Sequence, residues 1–348
     1  MIRKSCAIAT AFLIRHVATL ALLGACGILS AKPLVGQEPA VEQPAAEAEP
    51  AGEAQQAADA SGETDSESPK PVQDQADPSA EPVVAEVEVP SPIDAEQAKV
   101  TYPRAVAVAG EKLYIVDLDL PGIWLRTPDE LKVYTPGTKL LRKPVNRPWA
   151  VAVHPDDGIL IGDSASREIY AAAGPGTTLK ALNNGYLGIP MALAVGPEGK
   201  TVYVGDAERR AVFRLPIDGG KPELVARVNA RGLSFDADGK LWAITPDADA
   251  VQRIDVDAKT AEAIIVERPY QFPNGIVWVG DHGFVTDGYG KSIWKFTADG
   301  QTEKWFEGEP LVNPVGITAD DKFLYVADPR KEQVFRFDRQ SKQVEPLL

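Results

Sequence analysis

From Pro103 to the C-terminus, apolar and polar positions recur in one fixed order. A short apolar run is followed by a turn, a second apolar run ending in Asp, and a third run that carries an aromatic residue. Short apolar runs bounded by turn residues read as buried strands rather than as faces of helices. The copies start at Pro103, Pro148, Pro190, Ala230, Pro273 and Pro314, spaced 45, 42, 40, 43 and 41 residues apart. The second run ends at Asp117, Asp163, Asp206, Asp287 and Asp328, with Thr245 in the fourth copy. Seven residues further on stand Trp124, Tyr170, Phe213, Gln252, Trp294 and Phe335.

A period near 40 residues, divided into four short strands, is the signature of a propeller blade. The spacing therefore predicts an all-β fold, a six-bladed β-propeller of four-stranded blades over residues 99–348. Inner strands crowd around the axis of such a ring. Accordingly, the second residue after each start is always small: Ala105, Ala150, Ala192, Gly232, Gly275 and Gly316. The pairs Asp157-Gly158, Glu198-Gly199, Asp238-Gly239 and Asp299-Gly300 fall where hairpin loops are needed. A β-sandwich would show no fixed period, and a leucine-rich solenoid would show a shorter one. Blade 1 is lengthened by 118–130 and 137–146, which leaves its outer strand open, and blade 6 has an outer strand of its own near 343–347.

At these residues the repeats resemble those of the NHL-type propellers. They are also similar to the SMP-30/gluconolactonase-like propellers, at Pro273-Asn274-Gly275-Ile276 and along 231–242. The resemblance covers all of 103–348. It implies the fold, and it leaves lactonase, lyase and pure binding functions open. In gluconolactonase-like enzymes a divalent metal, usually calcium, sits in the channel on a Glu, an Asp and an Asn. The corresponding ring here is Arg104, Trp149, Met191, Arg231, Asn274 and Val315. Only Asn274 matches a ligand type. Calcium needs several oxygens with negative charge, and two guanidiniums would repel it. No metal or other cofactor is therefore expected, with calcium reserved for the enzymatic alternative.

The same ring is the candidate ligand-binding site. Blade order places Arg104 opposite Arg231, Trp149 opposite Asn274 and Met191 opposite Val315. Two guanidiniums with an indole between them suit a small anionic or carbohydrate-like ligand. In the competing arrangement both arginines turn out to solvent and the mouth stays empty.

Other chemistry-bearing residues read structurally. The strand-end aspartates, one per blade at a fixed offset, suit a repeated hydrogen bond to a loop amide. The aromatics suit packing between blades. His154 and His282 are expected in loops of blades 2 and 5, too far apart to converge. Lys139, Arg142, Lys143 and Arg147 form a basic patch of the kind usually solvated. The sequence contains neither a phosphate-binding glycine loop that opens a helix nor a Gly-x-Ser-x-Gly elbow.

The rest of the chain differs sharply. Residues 1–31 have a basic start and a short apolar stretch, which predicts an export signal peptide. Within it, Leu23-Gly24-Ala25-Cys26 matches a lipobox, so Cys26 is a candidate lipidation site, and a chance cysteine before ordinary cleavage is the other reading. The second cysteine, Cys6, also lies in the signal, so the propeller has no thiol or disulfide. Residues 32–98 have no aromatic residue and are rich in Ala, Glu and Pro, which predicts a disordered acidic linker, with one short strand open in the alternating run 83–89.

The formal charge of −14 belongs almost wholly to that linker. It holds sixteen acidic and two basic residues, whereas 99–348 holds 34 acidic and 31 basic. A balanced propeller gives nucleic acid no overall attraction. The expected protein is a monomeric, exported binding or interaction module of the cell envelope. It could be lipid-anchored or secreted, and its partner is a small anionic or carbohydrate-like ligand or a protein. A lactonase-type hydrolase with altered ligands, or a metal-independent lyase, is the alternative.

Overall fold

The computed structural model describes residues 86–87, 99–119 and 122–348, all within the unit Gln75–Leu348. The expected signal peptide with Cys26, and most of the segment expected to be a linker, lie outside the described residues.

Six antiparallel four-stranded sheets form the blades, and each is built from four consecutive strands. Blade 1 comprises Pro103–Ala109, Lys112–Asp117, Gly122–Arg126 and Leu131–Pro136, ordered from the axis outward. The same plan repeats over 148–181, 190–226, 232–265, 273–307 and 317–346, and the described residues contain no helix. Each innermost strand runs down from one face of the ring and the second strand returns to it. Second strands are covered on both sides, so Ile159–Asp163 is buried throughout, while the outermost Thr260–Ile265 is largely exposed. This is why the second runs are continuously apolar.

Neighbouring blades meet small face against large face. Ala150 and Ala152 pack with Leu193 and Val195 of the next blade, and Ala192 and Ala194 with Leu233 and Phe235. The aromatics predicted to pack between blades do so: Trp124, Tyr170, Phe213, Trp294 and Phe335 each join an inter-blade cluster. The fourth copy has Gln252 in their place. There, Tyr203 and Phe235 meet edge to face, with ring centroids 5.2 Å apart.

Among the described residues no strand is shared between the first and last blades to close the ring. Blade 6 ends on its own outer strand, Val344–Pro346, and side chains join it to blade 1. Val100, Val106, Ile115 and Trp124 pack with Val315, Tyr325 and Ala327. Arg126 Nε donates to the Leu347 carbonyl at 3.1 Å, and Lys99 pairs with Glu332. The closest approach is at Gly316, where an added Cβ would lie 2.7 Å from Ala105 Cα and 2.8 Å from the Arg104 carbonyl oxygen.

The strand-end aspartates fasten each blade to the loop that enters it. Asp163 accepts hydrogen bonds from the amides of Asn146, Arg147 and Ala165 and from the Ser166 hydroxyl. Asp206 does the same for Gly188 and Ile189, Asp287 for Gln271 and Phe272, Asp328 for Val312 and Asn313, and Asp117 for Thr101 and Tyr102. All five are buried. A carboxylate can take several amides at once, which a hydroxyl cannot. Thr245 accordingly holds only its own turn, accepting from the Asp247 amide and donating to the Asp249 carbonyl.

Asp157 and Gly158, both at positive φ (73° and 88°), close the five-residue loop 154–158 between the paired residues Val153 and Ile159, so the pair does sit in a hairpin loop, as expected. Within the alternating run 83–89, Glu86–Val87 forms a fifth strand on the outer edge of blade 2, with Glu86 opposite Lys180 and Val87 opposite Leu179.

Three substitutions test this account. Gly316→Val forces a side chain into the backbone of blade 1 and is expected to destabilise by about 1–3 kcal/mol. Gly174→Ala meets only Thr177 Cγ2, at 3.4 Å, and should leave the thermal midpoint nearly unchanged. Asp163→Ala strands several amides and is expected to destabilise by about 3 kcal/mol in urea titrations.

Candidate functional site

Every innermost strand begins at the same face, and the residue after each repeat start therefore lies at the mouth of the axial channel. Arg104, Trp149, Met191, Arg231, Asn274 and Val315 all line one cavity of about 300 Å³. Both arginines border it, and neither turns out to bulk solvent. Below this collar the walls are apolar, with Val106, Val151, Leu193, Leu233, Ile276 and Ile317 prominent. Among the described residues, Ser234 and Thr318 are the only hydroxyl side chains in the lining, and no Asp, Glu, His, Cys or Lys contributes to it.

The two arginines differ in setting. Arg104 is 8% exposed, and its guanidinium lies over the Trp149 ring, 4.9 Å from the centroid. Burial pushes its pKa down to about 10; nearby Tyr102 opposes the shift and Arg231 adds to it. Arg231 is half-buried, and burial lowers its pKa as well, against the pull of Asp247. Its Nε is buried with no hydrogen-bond partner. Among the described residues no carboxylate forms a salt bridge with either. A buried, unpaired cation is unfavourable in the absence of a ligand, so this collar is arranged to receive negative charge.

The other mouth residues are neutral. Asn274 is 3% exposed, and its amide donates to the Phe272 carbonyl at 3.1 Å. Val315 is 4% exposed and closes the side opposite Met191, while its carbonyl accepts the Thr286 hydroxyl at 2.6 Å.

The remaining candidates lie elsewhere. His154 and His282 sit at the opposite face of the ring, in blades 2 and 5. His154 is in a turn, its Nδ1 accepting from the Asp156 amide at 3.2 Å. His282 differs from the expected loop position, because it opens the strand His282–Asp287. The exposed patch of Lys139, Arg142, Lys143 and Arg147 lies on the mouth face, in the loop that leads to Trp149. Among the described residues no three His, Cys, Asp or Glu converge as metal ligands.

One buried carboxylate had no signal in the repeat. Glu168 opens the third strand of blade 2 and accepts from the amides of Ile169, Leu182 and Gly185 among others. Burial raises its pKa, and those amides oppose the shift. Gln333 holds the outer end of blade 6 in the same way, through the amides of Leu347 and Leu348. Both residues are remote from the cavity and serve the scaffold.

No protein-family model matches the sequence, and a search of curated proteins finds no match. Solved structures do resemble it. Virginiamycin B lyase from Staphylococcus aureus is 18% identical, covering 73% of this chain and 86% of that one, with a TM-score of 0.56. A gluconolactonase from Xanthomonas campestris is 19% identical over 66% of this chain and 84% of that one, with a TM-score of 0.54. A chain of a nidogen–laminin complex is 17% identical over 71% and 91%, with a TM-score of 0.56. At these identities the likeness establishes the six-bladed propeller fold. It spans an enzyme of elimination chemistry, a hydrolase and a protein-binding propeller, so the fold alone selects none of these activities.

Because burial disfavours the charged form of Arg104, Arg104→Met should raise stability. Its folded pKa is depressed below the unfolded value, so the charged form is the one that folding disfavours at neutral pH. A gain of roughly 1–3 kcal/mol is expected from replacing a buried charge by an apolar side chain of similar length, read as a higher thermal midpoint. A lower midpoint would show that the guanidinium is held favourably.

Proposed function

We propose that the protein is a binding module whose channel mouth takes a small anionic ligand, a sugar acid or a phosphorylated or carboxylated compound of similar size. The observation that carries this reading is the pairing of two buried or half-buried arginines, unmatched by any carboxylate, with an indole face in one axial cavity. Guanidinium forks fit carboxylate and phosphate oxygens, Trp149 offers a ring for stacking, and the apolar shaft excludes water from the contact.

The catalytic alternatives find less support at this site. Lactone hydrolysis or elimination needs a group that moves a proton, and the lining holds two hydroxyls but no carboxylate or imidazole. The exported setting, either lipid-anchored at Cys26 or secreted after ordinary cleavage, and a monomeric state are part of the same proposal and rest on the sequence.

The test is a screen of sugar acids, phosphosugars and small dicarboxylates by calorimetry. Arg104→Ala with Arg231→Ala should reduce binding of any hit at least a hundredfold without lowering the thermal midpoint. Wild-type affinity in the double variant would remove the mouth from consideration. Product formation from a hit, followed by NMR, would favour the enzymatic alternative.

A further inference from the structure

Loop tips are normally polar, because an exposed apolar side chain gains nothing from folding. Here the four most exposed large apolar side chains among the described residues are Leu141, Tyr289, Leu140 and Val266, at 80, 67, 64 and 51%. All four lie in loops on the mouth face: 137–147 before blade 2, the turn after Asp287 in blade 5, and the segment that leaves Thr260–Ile265 in blade 4.

The loop that carries Leu140 and Leu141 is firmly built. Asn146 Nδ2 donates to the carbonyls of Thr138 and Leu140 at 2.8 and 3.1 Å. The Thr138 amide donates to the Val145 carbonyl, Val145 is fully buried, and Asp163 holds the Asn146 amide. The two leucines are therefore presented outward by a fixed frame. Lys139, Arg142 and Lys143 flank them directly, Lys291 stands two residues after Tyr289, and Val266 is followed by Glu267 and then Arg268, so the cationic flank is strongest at the leucines.

The far face has the opposite character, with Asp156, Asp157, Asp236, Asp238, Asp320 and Asp321 in its turns. A molecule with apolar tips ringed by cations on one face and acidic turns on the other is polarised as a surface-docking protein would be. Leucine, valine and tyrosine at the tips suit the interfacial layer of a bilayer, and lysine and arginine beside them suit anionic headgroups.

We propose that the mouth face docks on an anionic lipid surface, with Leu140 and Leu141 inserted into the interface. This goes beyond the ligand reading and does not depend on it, since none of these loop residues lines the cavity. The proposal turns the channel mouth toward the membrane.

The experiment is flotation of the full chain carrying Cys26→Ser with vesicles of phosphatidylcholine alone and with added phosphatidylglycerol. The wild-type loop should give at least tenfold tighter binding to the anionic vesicles than Leu140→Ser with Leu141→Ser. Lys139→Glu, Arg142→Glu and Lys143→Glu together should abolish the preference for phosphatidylglycerol. Because these side chains are exposed, the thermal midpoint should be unchanged. As a direct readout, the emission of Leu141→Trp should shift to the blue on anionic vesicles and be quenched by brominated lipid. Equal flotation of wild-type and serine variants, or no change in the Leu141→Trp emission, overturns the proposal. Self-association of the wild type without lipid, lost in the serine variants, also overturns it and assigns the leucines to a second copy of this chain.

Discussion

The close approach of six inner strands around one axis is the constraint on which the rest of this molecule depends. Blades can meet there only if one face of each inner strand is nearly bare, which is met by Ala in the first three blades and Gly in the last three. Gly275 would place a Cβ 2.6 Å from the Val315 carbonyl oxygen, and Gly316 would press on Ala105 in the same way. Large residues on the opposite face then fill the space between blades, and close packing does the work that a shared strand or a disulfide would otherwise do. The Gly316 contact matters most, because it is where the last blade meets the first, and among the described residues the other fastenings are side-chain packing and a few exposed or half-buried polar pairs.

That crowding also makes the channel. Because every inner strand starts from the same face, six consecutive copies bring six residues, one per blade, to a common opening. In five of the six blades a buried aspartate fixes the height of the entry loop, the exception being the fourth blade with Thr245, so most of the collar is held by backbone hydrogen bonds as well as by packing. Arg104 and Arg231 are thus carried into a confined, water-poor setting by residues that have no contact with them. The depressed pKa of Arg104 reflects that placement, and since neither arginine forms a salt bridge among the described residues, although Asp247 acts on Arg231 from a distance, the charge is left to be met from outside.

Charge has a similar dependence on placement. Residues 99–348 are nearly neutral in sum, and on that basis the propeller has no preference for polyanions. Folding separates the signs in part: turns at one end gather Asp pairs, although Lys112 pairs with Asp157 there, and loops at the other carry Lys and Arg, some of them paired with acids such as Glu208 and Asp247. A face can therefore attract negative charge in a domain whose total is balanced, since fields act over roughly a Debye length rather than over the whole molecule.

By itself the sequence determined the architecture: six copies of one period, the small residue at each axis position, the aspartate at the end of each second strand and the aromatic seven residues later. These follow from local rules, strand periodicity and turn chemistry, repeated until the signal outweighed the irregular first blade. The identity of the collar could be read in the same way, since it is a fixed position in the repeat. Only the tertiary structure decided that both arginines border the cavity, that Arg104 stacks on Trp149, that Glu168 and Gln333 clamp outer strands, and that the exposed leucines share a face with the mouth. Each of these depends on which way a side chain turns or which loops gather at one end of the ring. Such contacts join residues far apart in the chain, and a repeat of about 40 residues constrains the backbone of every blade while leaving those side-chain directions to the packing of its neighbours.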